Sequence, residues 1–170
     1  MQKITPFLWF KDNAEEAANL YTSLFKNSKI TRITRYNEAV AKASGQPAGS
    51  AMTVEFTIDG QDFVALNGGP HFKFTEATSF VINCEDQEEV DKFWSALTAD
   101  GGEESQCGWL KDKFGLSWQV TPTVLSKLIG DPDPARAERA MKAMLTMKKI
   151  DIQAIKDAAD GNGQAKASKP

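Results

Sequence analysis

Histidine occurs once in 170 residues, at His71. A single imidazole excludes zinc sites built on a histidine pair and any chemistry that needs two imidazoles. A Ser-His-Asp triad would have to use His71, which sits in a Gly-Gly-Pro-His loop and reads more simply as a solvated loop residue. Cysteine is almost as scarce: Cys84 and Cys107 are too few for a disulfide framework. The opening MQKITPFLWFKDN has no signal-peptide pattern, and its apolar run falls far short of the roughly 20 residues that span a bilayer. The expectation is a cytoplasmic protein with reduced thiols and no membrane partner. Charge of one sign is also lacking: at a net −3 there is no electrostatic basis for nucleic acid as a partner.

What is present is ordinary globular material, 41% hydrophobic and 25% charged. A chain this long buries roughly 70% of its extended surface and needs no covalent staples. The strongest pattern is internal. Residues 15–25 read EEAANLYTSLF and residues 88–98 read EEVDKFWSALT. Both begin Glu-Glu, Tyr21 matches Trp94, and Leu24 matches Leu97. Ala17, Leu20, Tyr21, Leu24 and Phe25 recur at helical spacing, as do Val90, Phe93, Trp94 and Leu97, so each stretch is predicted to be an amphipathic helix.

A short strand is predicted before each helix, ITPFLWF (4–10) and TSFVINC (78–84). Three more are predicted after the first helix: KITRITRY (29–36), AMTVEFTI (51–58) and DFVALN (62–67), the last two joined by an Asp59-Gly60 turn. After the second helix come EESQ (103–106), WLK (109–111) and SWQVT (117–121). The pattern βαβββ thus appears twice, over 4–67 and 78–121. Residues 39–50, AVAKASGQPAGS, read as a mobile loop. Asp133-Pro134 opens a predicted helix running to Lys149, with Met141, Met144, Leu145 and Lys148 in register. Asp151 caps a last short helix ending at Gly161. The expected whole is one α+β domain over 1–160, with a helical extension at 122–160 and an unstructured tail at 161–170.

The doubled pattern resembles the vicinal-oxygen-chelate superfamily of glyoxalases, bleomycin-resistance proteins and extradiol dioxygenases. ITPFLWFKDNAEEAANLYTSLF, CGWLKDKFGLSWQV and the tail VLSKLIGDPDPARAERAMKAMLTMKKIDIQAI are similar to the PhnB-like branch, often labelled 3-demethylubiquinone-9 3-methyltransferase. The resemblance implies two modules whose mixed sheets curve around a cup, and a homodimer. Metal-binding members carry four ligands, mostly His and Glu, on the cup side of the first and last strands of each module. Carried over by position, these fall on Thr5 (Pro6 if ungapped), Ala65, Ser79 and Gln119. Such a set does not hold a divalent metal. The methyltransferase label finds no Gly-rich βα turn for S-adenosylmethionine, because Gly68-Gly69 leads into Pro70. No cofactor and no metal are expected.

Alternation along the strands assigns Leu8, Phe10, Val54, Phe56, Val64, Leu66, Ile82, Trp118 and Val120 to the helix side. The cup side then holds Phe7, Trp9, Glu55, Ala65, Asn67, Ser79, Ser117 and Gln119, among others. Two aromatic rings with a few polar anchors suit a small-molecule ligand, with Phe7, Trp9, Asn67, Ser79, Trp109 and Gln119 as candidate contacts. Glu55 is the one acid on that side: a general acid or base, or a half-exposed carboxylate beside Arg32 or Arg35. Cys107 is either a nucleophile activated by Lys111 or a packed thiol. Trp109 is either a stacking lid or strand packing. Three functions stay open: a metal-free binder of a small, partly apolar or aromatic molecule; an enzyme, a methyltransferase or one moving protons through Glu55; and a drug-sequestering resistance protein.

Overall fold

In the computed structural model the structure describes residues 2–162. The chain divides into two compact units between Phe74 and Thr75. The first unit runs β1 (Phe7–Phe10), α1 (Ala14–Leu24), β2 (Lys29–Arg35), α2 (Glu38–Ser44), β3 (Ala51–Ile58) and β4 (Gln61–Asn67). Its sheet has the order β1-β4-β3-β2, with β1 parallel to β4 and the other pairs antiparallel. Helix α1 covers one face. Ala14, Ala17, Ala18 and Tyr21 are buried on it at the spacing of one helical stripe. The three alanines let the helix lie close to the sheet, and Tyr21 reaches down to Phe56, which stacks on Phe63 at 5.6 Å.

The second unit repeats that topology: β5 (Ser79–Cys84), α3 (Gln87–Thr98), β6 (Glu103–Glu104), β7 (Trp109–Lys111) and β8 (Ser117–Pro122), in the order β5-β8-β7-β6. Val90, Phe93, Trp94 and Leu97 are the buried stripe of α3. Its start is capped in both directions: Asp86 accepts from the Glu89 amide at 2.9 Å, and the Glu89 carboxylate accepts from the Glu85 amide at 2.8 Å. The repeat read from the two Glu-Glu helices is therefore a repeat of strand order as well as of helix position. The two four-stranded mixed sheets with helices are the α+β architecture expected.

Three expectations are corrected. Residues 38–44 form a helix rather than a mobile loop, because Asn37 caps its first turn by accepting from Val40 N. Gly45, at φ 72°, closes it by donating to Ala41 O. On β4, Phe63, Ala65 and Asn67 face the helix, and Val64 and Leu66 face away from it. The Asp59-Gly60 turn has positive φ at both residues, so Ile58 faces Gln61, Phe56 faces Phe63 and Val54 faces Ala65. That register reverses the parity expected from the bulk of Val64 and Leu66.

The third correction is to the long C-terminal helix. Here α4 (Val124–Ile129), α5 (Pro134–Leu145) and α6 (Ile152–Ala159) are separate helices. Helix α5 ends at Leu145 as the amides of Thr146 and Met147 tighten onto Ala143 O and Met144 O, and just beyond it the carbonyls of Met147 and Lys148 accept from Cys107 N and Gly108 N, each at 2.8 Å. Ala140, Ile150, Ile155, Ala159 and Leu125 form the core of this section, with Met144 and Met147 packed on it. Met141 and Leu145, expected in the same stripe, are exposed. Most of the tail expected to lack structure, residues 163–170, lies outside the described residues.

Candidate functional site

In the first unit the sheet face away from α1 carries Phe7, Trp9, Glu55, Val64 and Leu66. Phe7 is 58% exposed. Trp9 is held in place: its indole Nε1 donates to Gly69 O at 2.9 Å, and its ring meets Phe72 edge-on at 4.9 Å. Any side chain at Gly68 would start 2.3 Å from that ring, so the glycine is what lets the indole lie flat there. Glu55 pairs with Arg32 Nε at 3.3 Å, and its side chain is 39% exposed. This is the half-exposed strand carboxylate of the two readings, and surface pairs of this kind contribute about 0–1 kcal/mol.

Asn67 is not on this face. It is buried beneath α1, where Oδ1 accepts from Ala14 N at 2.8 Å and Nδ2 donates to Ala51 O at 3.0 Å. The adjacent Asn13, in the N-cap position, makes no side-chain cap of its own. Asn67 thus caps α1 from the end of β4, which is a structural role and removes it from the ligand contacts.

In the second unit the candidates converge. On the face away from α3, Ser79 pairs with Ser117, Gln119 with Trp109, and Lys111 with Ser117. Gln119 Nε2 donates to Ser79 Oγ at 2.9 Å. Beside them is a cavity of about 550 Å³ lined by Cys107, Trp109, Lys111 and Ser117 with the carboxylates Glu76, Glu103 and Glu104. The Lys111 ammonium is committed to Glu76 at 2.5 Å and approaches Glu103 at 3.8 Å. The hydrogen bond from Lys111 holds the Glu76 carboxyl below its ordinary range, and the same bond raises Lys111. Lys111 is therefore not available to activate Cys107. The Cys107 thiol instead donates to Met144 O at 3.7 Å, as a packed thiol does.

Two residues of this site were not singled out from sequence. Asp112 is only 2% exposed. Its Oδ1 accepts from the amides of Phe114 and Leu116, and its Oδ2 accepts from Trp118 Nε1 at 2.9 Å. A charge-assisted network of this kind fixes the turn that aims β8. Ser117 is 1% exposed, and its Oγ has no hydrogen-bond partner. A buried hydroxyl left unpaired by protein groups costs about 1–3 kcal/mol, so this one is disposed to accept or donate a bond in the cavity. The Asp-x-x-Gly turn hints at the first; strand alternation placed the second on the cup side but gave no sign that its hydroxyl would lack a partner.

The metal positions of the resembled superfamily fare no better with geometry in hand. Ala65 faces the helix, its open-face neighbours Val64 and Leu66 are apolar, and Ser79 and Gln119 bond to each other. Among the described residues no three His, Cys, Asp or Glu side chains come together as a metal would require. The residues present do not fit a divalent ion.

Paired βαβββ units of this strand order, each leaving one sheet face uncovered by its helix, define the glyoxalase/bleomycin-resistance class of the vicinal-oxygen-chelate superfamily. The family model described as 3-demethylubiquinone-9 3-methyltransferase matches residues 2–121. A solved structure described as a putative 3-demethylubiquinone-9 3-methyltransferase, PhnB protein, from Bacillus cereus is 38% identical, with a TM-score of 0.64 over 72% of this chain and 100% of its own. The chain belongs to that PhnB-like family. Protein PA1353 from Pseudomonas aeruginosa, 20% identical with a TM-score of 0.57 over 72% of this chain and 98% of its own, shares the fold. No curated protein matches the sequence. The family model ends at residue 121, before α4, α5 and α6. No helix among the described residues is long and apolar enough to cross a membrane.

Proposed function

We propose that the protein is a metal-free member of its superfamily that binds a small, partly apolar or aromatic molecule in the cavity of its second unit. The observation that carries this reading is the convergence of Trp109, Lys111 and the unpaired Ser117 hydroxyl around about 550 Å³ of open space. That volume falls in the range of small-molecule sites, and a few polar atoms against an aromatic wall is their usual composition. Methyl transfer gains no support from the geometry. Each sheet has a single parallel strand pair, and Gly68-Gly69 packs on Trp9 instead of opening a helix. We place the protein in the cytoplasm, consistent with two free thiols, and as a homodimer, for which the exposed Phe7, Met141 and Leu145 supply apolar surface.

The test is a crystal soaked with a mixture of small metabolites, with metal analysis of the same sample. Density against Trp109 and Ser117 without stoichiometric metal is expected. An empty cavity after soaking, or a metal ion bound by the protein, would refute the reading.

A further inference from the structure

The lining of this cavity is unbalanced in charge. Two carboxylates, Glu76 and Glu103, face one ammonium, Lys111. Glu104, one position along β6, turns to the other face, where it accepts from Trp94 Nε1 at 2.8 Å and is approached by Lys148 at 3.9 Å, so the open face keeps one carboxylate more than it has cations. Lys111 is already paired with Glu76, so an anionic ligand would find no free cation here and would meet Glu103. Among the described residues, Ser117 Oγ is the buried side-chain polar atom that has no hydrogen-bond partner, and it lines this cavity. The nearest amide on the same strand, that of Gln119, is spent on Ser79. Trp109 stands on the same sheet face as Lys111 and Ser117, two positions along β7, and an indole face attracts cations.

We propose that the cavity selects an organic ammonium with a flat apolar or aromatic body, its N–H donated to Ser117 Oγ and its charge met by Glu103 and the indole of Trp109. This rests on the reading of the cavity as the ligand site and specifies the class of ligand it takes. Specificity follows from chemistry: a carboxylate of the same size would face acids, and a neutral alcohol would gain only the hydroxyl contact.

The test uses three probes of similar size on the full chain: phenethylammonium, phenylacetate and benzyl alcohol, by calorimetry and saturation-transfer NMR. Phenethylammonium is expected to bind roughly tenfold more tightly than phenylacetate, with affinity falling as salt is raised. Ser117→Ala is expected to weaken it about fivefold while the melting temperature holds or rises, since the variant removes an unsatisfied hydroxyl from the free protein. Glu103→Gln, at an exposed position, is expected to weaken the ammonium and favour phenylacetate. Phenylacetate binding as tightly as the ammonium would overturn this inference and leave the proposed ligand site standing. Unchanged affinity in Ser117→Ala would also overturn it. Binding of none of the three would overturn it too, and the ligand site itself would then be judged by the soaked crystal.

Discussion

Asp112→Asn probes the device that aims the site. The carboxylate sits in the turn between β7 and β8, accepting from Phe114 N at 2.9 Å, Leu116 N at 3.1 Å and Trp118 Nε1 at 2.9 Å. Asparagine keeps the shape but replaces one acceptor oxygen with a donor. If the oxygen stays with the two amides, the new NH2 group faces the indole N–H. Losing a charge-assisted bond costs about 1.5–3 kcal/mol, and leaving the buried indole donor unpaired adds about 1–3. Relief of carboxylate desolvation offsets part of this, leaving roughly 3 kcal/mol. For a chain of this length that lowers the melting temperature by about 6–12 °C. Urea unfolding followed by circular dichroism measures it, in the wild-type and Trp118→Phe backgrounds. Without the indole N–H, the asparagine should cost at least 1 kcal/mol less, which is the coupling a contact pair shows. A loss below about 1 kcal/mol, or equal losses in both backgrounds, would refute the turn's role as described.

Further predictions follow from other packed groups. Gly68→Ala drives a methyl group into the Trp9 ring and is expected to cost about 1–3 kcal/mol, visible as a shift in tryptophan fluorescence and a lower urea midpoint. Burial pushes the Cys84 thiol up from its ordinary 9.0 to about 12, with Glu89 and Asp86 adding to the effect. A raised folded value means stability is whole below pH 9 and lost as pH rises toward 12, about 1.4 kcal/mol by pH 10, relative to Cys84→Ala. Gln87 ties the 146–152 segment to α3 through Ile150 O and Ile152 N. Gln87→Ala should cost about 1–2 kcal/mol and speed amide exchange at Cys107 and Gly108, whose acceptors lie in that segment. Light scattering at micromolar concentration should give twice the monomer mass; a monomer would remove the dimer.

The legible part of this fold was local. The Glu-Glu helices, the Asp59-Gly60 and Gly115 turns, and the Asp133 and Asp151 caps each carry their own chemistry, so the double βαβββ order could be read directly. The parity of β4 was legible too, but only from the turn. Counting back from Asp59-Gly60 gives Phe56 opposite Phe63, whereas weighing Val64 and Leu66 as core residues gives the wrong face. The consequence was functional, since it moved Asn67 from the open face to the cap of α1. The helix at 38–44 was announced by Asn37 and Gly45, yet the small side chains between them read as loop. The end of α5 was not legible, because the segment just past it pairs with Cys107 and Gly108, forty residues earlier in the chain. Asp112 looks like surface charge between two lysines until the amides and the indole that donate to it are seen. Ser117's missing partner is a property of three dimensions alone.

The proposed function rests on the second-unit cavity as a ligand site that works without metal. Ligand-observed NMR of a small-metabolite library, run on chelator-treated protein and on the Trp109→Ala variant, tests that directly. The prediction is a set of binders that persists after chelation and is lost when the Trp109 wall is removed. Binders that vanish with the chelator, or that bind the Trp109→Ala variant unchanged, would contradict it.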